Sequence, residues 1–368
     1  MAETLFLGTY TEPILFGTGD ILPGKGAGIH IARLDDNGRL SEIGRVENVR
    51  NPSFLCFSPD NAFLYAVNEL KEYEGKPEGA VSAFAVETAD GKTTLRFLNS
   101  RPTGGTDPCH VIAAPDGSHV YVSNFMSGSV AAFPVRADGT LGEASDFIQY
   151  EGSSINARRQ KSPHAHSLVF DPAGKRAFVP DLGTDKLMIY EPDFATGKLV
   201  PASPGFYSCA PGDGPRFLEF HPGGKWFYLI NEIASSLSVI QYEAATGAMH
   251  LVQIVSTIPE GFDKEQNICA DVHVTQDGRF VYASNRGHDS IAVFYVNPAD
   301  GTLEWMGNVR CGGKTPRNFA LSLSGEFLIV ANQDTDNLLS FRIQPDGCLV
   351  KVDAIAVPTP VCVRPAAL

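Results

Sequence analysis

The stretch RFLEFHPGGKWFYLINE, residues 216–232, reads as strand, turn, strand. Phe217–Phe220 is apolar apart from Glu219. His221-Pro222-Gly223-Gly224 supplies turn residues. Trp226–Ile230 is an unbroken aromatic and branched run that stops at Asn231-Glu232. Two short strands around a tight turn form a hairpin signal. The pattern returns in FLCFSPDNAFLYAVNE from Phe54, HVIAAPDGSHVYVSNF from His110, HSLVFDPAGKRAFVPDL from His166, DVHVTQDGRFVYASNR from Asp271 and RNFALSLSGEFLIVANQ from Arg317. Each copy is followed by a third strand, such as GSVAAFPV (128–135) or DSIAVFYV (289–296), then a turn and a weaker fourth strand. The period is roughly 50 residues, and no helical periodicity competes with it. A four-stranded unit repeated around a ring is a β-propeller.

Six units are complete. The N-terminal segments TLFLGTYT (4–11), GIHIARL (28–34) and RLSEIGRV (39–46) lack a first strand, and TPVCVRP (359–365) resembles one. Joined, they make a seventh blade closed by strands from both ends, which leaves no exposed sheet edge. The expectation is an all-β, seven-bladed propeller occupying residues 1–368 as a single domain. The competing reading is a β-sandwich or two tandem β domains.

Composition narrows the function. With 43% hydrophobic and 19% charged residues, the chain can bury a large core. A net charge of −13 argues against a nucleic-acid partner, because phosphate backbones are held by Lys/Arg patches. A small anionic substrate then requires local arginines to overcome the overall field. The seven cysteines are odd in number, scattered and without a C-x-x-C, which suits free thiols in a reducing, cytoplasmic compartment. The N-terminus shows no signal-peptide pattern, and no apolar run is long enough for a membrane span.

The long connections 12–28, 70–79, 151–163 and 257–269 all fall on the rim where strand two ends and strand one begins. Long loops gathered on one face of a rigid scaffold mark a functional face. The repeated Asn serves the fold by satisfying backbone groups at a turn. The residue after it varies: Tyr10, Glu69, Phe125, Leu182, Glu232, Arg286 and Gln333. The equivalent strand-one positions are Ser53, Cys109, His166, Arg216, Ala270 and Arg317. His166, Arg216, Glu232, Arg286, Arg317, Gln333 and Glu69 should therefore converge at one mouth of the channel.

Arginine recognises carboxylate or phosphate with a planar fork, and histidine exchanges protons near neutral pH. A carbonyl attacked by water needs a base and a cationic oxyanion stabiliser. His166 or Glu232 suits the first role, and Arg216 or Arg286 the second. The competing reading makes Glu232–Arg216 and Glu69–Arg317 simple ion pairs between blades. His164 and His166 share a strand face, but no third ligand accompanies them, so no metal is expected and His164 is read as substrate-binding. His110 reads as a packing residue. His221 and His250 belong on the opposite rim or the outer edge. No serine nucleophile elbow and no phosphate-cradling loop opening a helix is present.

At these residues the chain resembles the lactonase family of seven-bladed propellers, which holds propeller-type 6-phosphogluconolactonases and fungal carboxy-cis,cis-muconate lactonizing enzymes. The resemblance runs through FLGTYT, GTDPCHV, PHAHSLVFDP, VPDLGTDKL, GDGPRFLEFHP, YLINE, ADVHVTQDGRFVYASNRGHDSIAVF, TPRNFALSLSGEFLIVANQDTDNL and PTPVCVRP. The cyclase branch's site of one His, two Arg and one Glu maps onto His166, Arg216, Arg286 and Glu232. The resemblance implies no metal and no organic cofactor, and the acidic ligands of calcium-dependent gluconolactonase propellers have no match. The leading expectation is hydrolysis of a small anionic lactone, 6-phospho-D-glucono-1,5-lactone first. A muconate-type cycloisomerase comes second, and a non-catalytic propeller that binds a protein third. An open mouth with unpaired arginines favours an enzyme; a blocked mouth with paired ones favours the third. Oligomeric state is left open.

Overall fold

The computed structural model describes residues 2–16, 19–89 and 92–368. These residues form seven four-stranded antiparallel sheets, one two-stranded hairpin (Ile14–Leu15 with Ile21–Leu22) and one 3-10 turn, Lys264–Gln266. In blade 5, Pro215–Phe220, Trp226–Asn231, Ser236–Glu243 and Ala248–Ser256 lie side by side in chain order. Blade 1 is the composite one: Pro360–Ala366 pairs with Glu3–Thr9, followed by Gly28–Leu34 and Leu40–Glu47. The propeller and its closure by both ends of the chain stand as the repeats indicated.

The packing explains why strand two is apolar without alternation. Phe227 and Leu229 pack with Phe178 of blade 4, while Tyr228 and Ile230 pack with Val281 of blade 6. Both faces of the strand are interior, so neither parity of residues meets water. Among the described residues, seven such clusters, one between each pair of neighbouring blades, close the ring.

The recurrent Asn stitches blades together. Asn68 Nδ2 donates to Arg50 O at 2.7 Å, Asn285 Nδ2 to Thr257 O at 2.8 Å and Asn332 Nδ2 to Cys311 O at 3.1 Å. In each case the acceptor lies in the segment leaving the preceding blade. A buried carbonyl left without a donor costs about 1–3 kcal/mol, which gives the amide its use there. Blade 4 has Asp181 at this position. A carboxylate cannot donate, and it instead accepts from His164 N at 2.6 Å and Thr184 Oγ1 at 2.6 Å.

A buried charge cluster ties blades 5, 6 and 7 together. His273 Nδ1 lies 2.5 Å from Glu219, and its Nε2 lies 3.3 Å from Asp271 and 2.9 Å from Phe319 O. Burial opposes the imidazolium, but Asp271 and Glu219 outweigh it and push the pKa up to about 10. The raised pKa means this stabilisation is complete below pH 6.5 and is lost as pH rises through about 10. His273→Ala strands two carboxylates and is expected to cost about 3–5 kcal/mol in urea denaturation at pH 7. The variant should also lose the wild type's decline in stability toward pH 10; a wild-type curve flat across that range would contradict the pairing.

Candidate active site

Two backbone devices aim side chains into the channel. The first is a β-bulge near the start of strand one. Pro215 pairs with Asn231 and Phe217 with Ile230, so Arg216 is the extra residue. Cys109, Arg317 and Val361 occupy the same place in blades 3, 7 and 1, and Ala270-Asp271 in blade 6. A bulge takes a side chain out of the alternation. Cys109, Arg216, Asp271, Arg317 and Val361 accordingly line the narrow inner end of the cavity.

The second device precedes the bulge. Asn51, Asp107, Gly214, Thr315 and Thr359 each stand before a proline with positive φ, from 37° at Asn51 to 65° at Gly214. Left-handed backbone is costly for β-branched Thr, and such strain gathers at functional rims. Their carbonyls accept the N–H of the residue after the Asn: Glu69 at 3.0 Å, Phe125 at 2.9 Å, Glu232 at 2.7 Å, Gln333 at 3.0 Å and Tyr10 at 3.2 Å. The variable position is thus pinned by its backbone while its side chain is free to differ.

The cavity has a volume of about 940 Å³ and opens on the long-loop rim. His164, His166, Glu232, Arg286, Arg317, Gln333 and Glu69 all line it, and Arg216 lies in its inner end with His166 and Arg317. The seven residues expected to converge are therefore brought together, and His164 joins them. Leu182 is fully buried, and Tyr10 turns its hydroxyl to Glu69 Oε2 at 3.0 Å.

Glu232 is the hub. Its Oε2 lies 2.9 Å from Arg216 Nε and 2.6 Å from Arg286 Nη2, and its Oε1 accepts from Arg159 Nη2. Arg286 also reaches Cys269 O at 2.6 Å, and Arg216 Nη1 donates to Ala270 O. Burial opposes the Glu232 charge, but Arg286, Arg159 and Arg216 overcome it and hold the carboxyl well below the usual range. Burial draws the Arg286 guanidinium down to about 10, still charged at neutral pH. The Nε groups of Arg216 and Arg286 are buried without an aligned hydrogen bond among the described residues. Of the two ion pairs set against a catalytic reading, Glu232–Arg216 forms. Glu69–Arg317 does not form at ion-pair distance; Glu69 Oε2 accepts from the Tyr10 hydroxyl instead.

His166 precedes its strand, since strand one of blade 4 is only Val169–Phe170; the sequence reading had placed it at the strand start. Its N–H donates to Pro180 O at 3.0 Å, and its Nδ1 lies 3.8 Å from Cys109 Sγ. Burial, then Arg216, hold its pKa well below 6.5, so the ring is neutral. No described residue engages Nε2. His164 stacks on Phe125 at 4.6 Å and donates from Nδ1 to Phe125 O at 2.9 Å. Among the described residues no group of three or more His, Cys, Asp or Glu side chains forms a metal site. His110 packs between Phe54 and Phe217, as its sequence position suggested.

The residue that sequence reasoning missed is Arg159. It lies in the long connection 151–163, outside any repeat, and meets a partner 73 positions away. The basic run Arg158-Arg159-Gln160-Lys161 on a rim loop was the available signal.

A family model described as Lactonase, 7-bladed beta-propeller, matches residues 4–365. The chain belongs to this lactonase family. The lactonase is 35% identical over 362 residues to the 6-phosphogluconolactonase of Bacillus subtilis, covering 98% of this chain and 97% of the relative. It is 31% identical to the 6-phosphogluconolactonase of Formosa agariphila, with 92% of each chain covered. The structure of PpgL, a periplasmic gluconolactonase of Pseudomonas aeruginosa, aligns with a TM-score of 0.89 at 32% identity, covering 100% of this chain and 99% of that one.

Proposed function

We propose that this lactonase, a carboxylic-ester hydrolase, opens 6-phospho-D-glucono-1,5-lactone, with His166 as base and Arg286 as oxyanion stabiliser. The observation that carries the assignment is the contrast between the two candidate bases. Glu232 is clamped by three guanidiniums, which hold its carboxyl ionised and well below the range where it would take a proton. His166 is neutral, lines the cavity and has an Nε2 that no described residue engages. Water attacks C1 while His166 takes its proton. Negative charge develops on the carbonyl oxygen beside Arg286. The C1–O5 bond then breaks, and the imidazolium returns the proton to O5. Glu232 and Arg216 hold the arginine constellation in place. Water has added across the ester bond, and the product is the open-chain acid.

The relatives named 6-phosphogluconolactonase support the substrate, and the open cavity lined by arginines supports a small anion over a protein partner. Seven free thiols, four of them buried, support a reducing compartment and a cytoplasmic location, which cell fractionation would test.

The test is hydrolysis of freshly made 6-phosphogluconolactone, corrected for spontaneous opening. Acceleration by the protein upholds the reading; its absence, with cyclisation of carboxymuconates instead, replaces it with the cycloisomerase. The pH profile is a second check. The base form of His166 survives below 6.5, so kcat/KM should hold steady from pH 7.5 to 6.5 and fall only at lower pH. Asp107, pushed up to about 6 by burial against the opposing charge of Lys71, also lines the cavity. Asp107→Asn should leave the acid limb in place if His166 causes it.

A further inference from the structure

The arginines of the cavity divide into two kinds. Arg159, Arg216 and Arg286 are all committed to Glu232. Arg317 is not. Among the described residues its guanidinium makes no hydrogen bond and no ion pair; its guanidinium carbon stands 5.8 Å from the ring centroids of both Tyr10 and Phe16. The carboxylate Asp334, which lines the same cavity, is occupied elsewhere, since it accepts from Thr315 Oγ1 at 2.5 Å and from Gln333 Nε2 at 2.8 Å. Glu69 accepts from the Tyr10 hydroxyl at Oε2 and attracts Arg317 only across a distance beyond an ion pair. The bulge in blade 7 directs Arg317 into the channel, and it lines both the outer cavity and its inner end. Beside it, Gln333 keeps a buried Oε1 with no donor. Both residues hang from one point, because Thr315 O accepts the N–H of Arg317 at 2.8 Å and of Gln333 at 3.0 Å.

A guanidinium backed by rings presents its N–H edges outward as a fork for a tetrahedral or planar dianion. An orphaned amide oxygen beside it matches a hydroxyl donor. Blade 7 brings this pair to the cavity from a different element than those carrying His166, Glu232 and Arg286. We propose that Arg317 anchors the phosphate monoester of the substrate, with Gln333 accepting from an adjacent sugar hydroxyl, and so makes the enzyme select phosphorylated over plain aldonolactones. The inference rests on the lactonase reading of the same cavity.

Two measurements separate them. Calorimetry with the open-chain acids 6-phosphogluconate and gluconate reads the anchor without turnover. Wild type should bind the phosphorylated acid more tightly, on the order of 10- to 100-fold, and Arg317→Met should erase that preference. Arg317→Lys should restore part of it, as a point charge without a fork. In turnover, Arg317→Met should raise KM for 6-phosphogluconolactone far more than KM for glucono-1,5-lactone. The Arg317 guanidinium makes no hydrogen bond to the described residues, so thermal melting should show the variant folded. A preference that survives in Arg317→Met, or an equal loss with both acids, overturns the anchor. Binding that follows the prediction without turnover of either lactone leaves the anchor and removes the hydrolase chemistry.

Discussion

Glu232→Ala is expected to cost about 3–5 kcal/mol of stability and to abolish measurable lactone hydrolysis. Removing this carboxylate strands Arg159, Arg216 and Arg286 with their side chains 17%, 7% and 10% exposed. Their desolvation is retained while their counter-charge is gone. Mutual repulsion then opens the constellation that holds Arg286 beside the carbonyl. Glu232→Gln should also destabilise, because its NH₂ must face one guanidinium. The hub makes a further demand. In an Arg159→Met background the cost of Glu232→Ala should fall by roughly 0.5–3 kcal/mol, since fewer cations are stranded. Urea denaturation of the four proteins measures this. Strict additivity would mean that Arg159 merely lies near Glu232 without sharing its charge.

The second large effect is kinetic. His166→Gln should lower kcat by about 10²–10⁴-fold while stability changes little. The ring's polar contacts in the fold are slight, its Nδ1 lying 3.8 Å from Cys109 Sγ. The acid limb of the pH profile should vanish with it, because glutamine does not titrate. KM should move less than kcat, since Arg317 and Gln333 are untouched. A variant with near wild-type kcat would shift the proton transfer to another group. Asp107 is then the first to test, because its carboxyl is pushed up to about 6 by burial.

The fold was legible because the repeats are. Phe227–Ile230 is apolar at every position, and only an element with neighbours on both sides has use for that. The site was legible in the same way: superposed repeats place Glu69, Glu232, Arg286 and Gln333 at one slot, and Arg216 and Arg317 at another. Side-chain direction was not legible, because strict alternation misassigns a bulged residue. The sequence held a hint in Pro108, Pro215, Pro316 and Pro360, each directly before the extra residue. Arg159 was hidden for another reason. A loop outside the period has no equivalent to be superposed on, and its partner is fixed only by tertiary contact. The pairing of Tyr10 with Glu69 escaped likewise, since two neighbouring slots compete for each other before either meets a substrate.

The pinned residue after each strand-two Asn has a consequence for how such a molecule can change. Strands committed on both faces to neighbouring blades tolerate little novelty. The slots beyond their ends, each anchored by a main-chain hydrogen bond in blades 1, 2, 3, 5 and 7, behave like the tumblers of a combination lock. Tyr, Glu, Phe, Glu and Gln now occupy those five. Outside the Glu232 slot, a new setting alters the chemistry of the mouth while the main-chain anchor stays as it is. Libraries confined to those positions other than Glu232, whose carboxylate carries three guanidiniums, should therefore return folded proteins at a far higher rate than libraries of equal size inside the strands, and new ligand preferences should appear among them first.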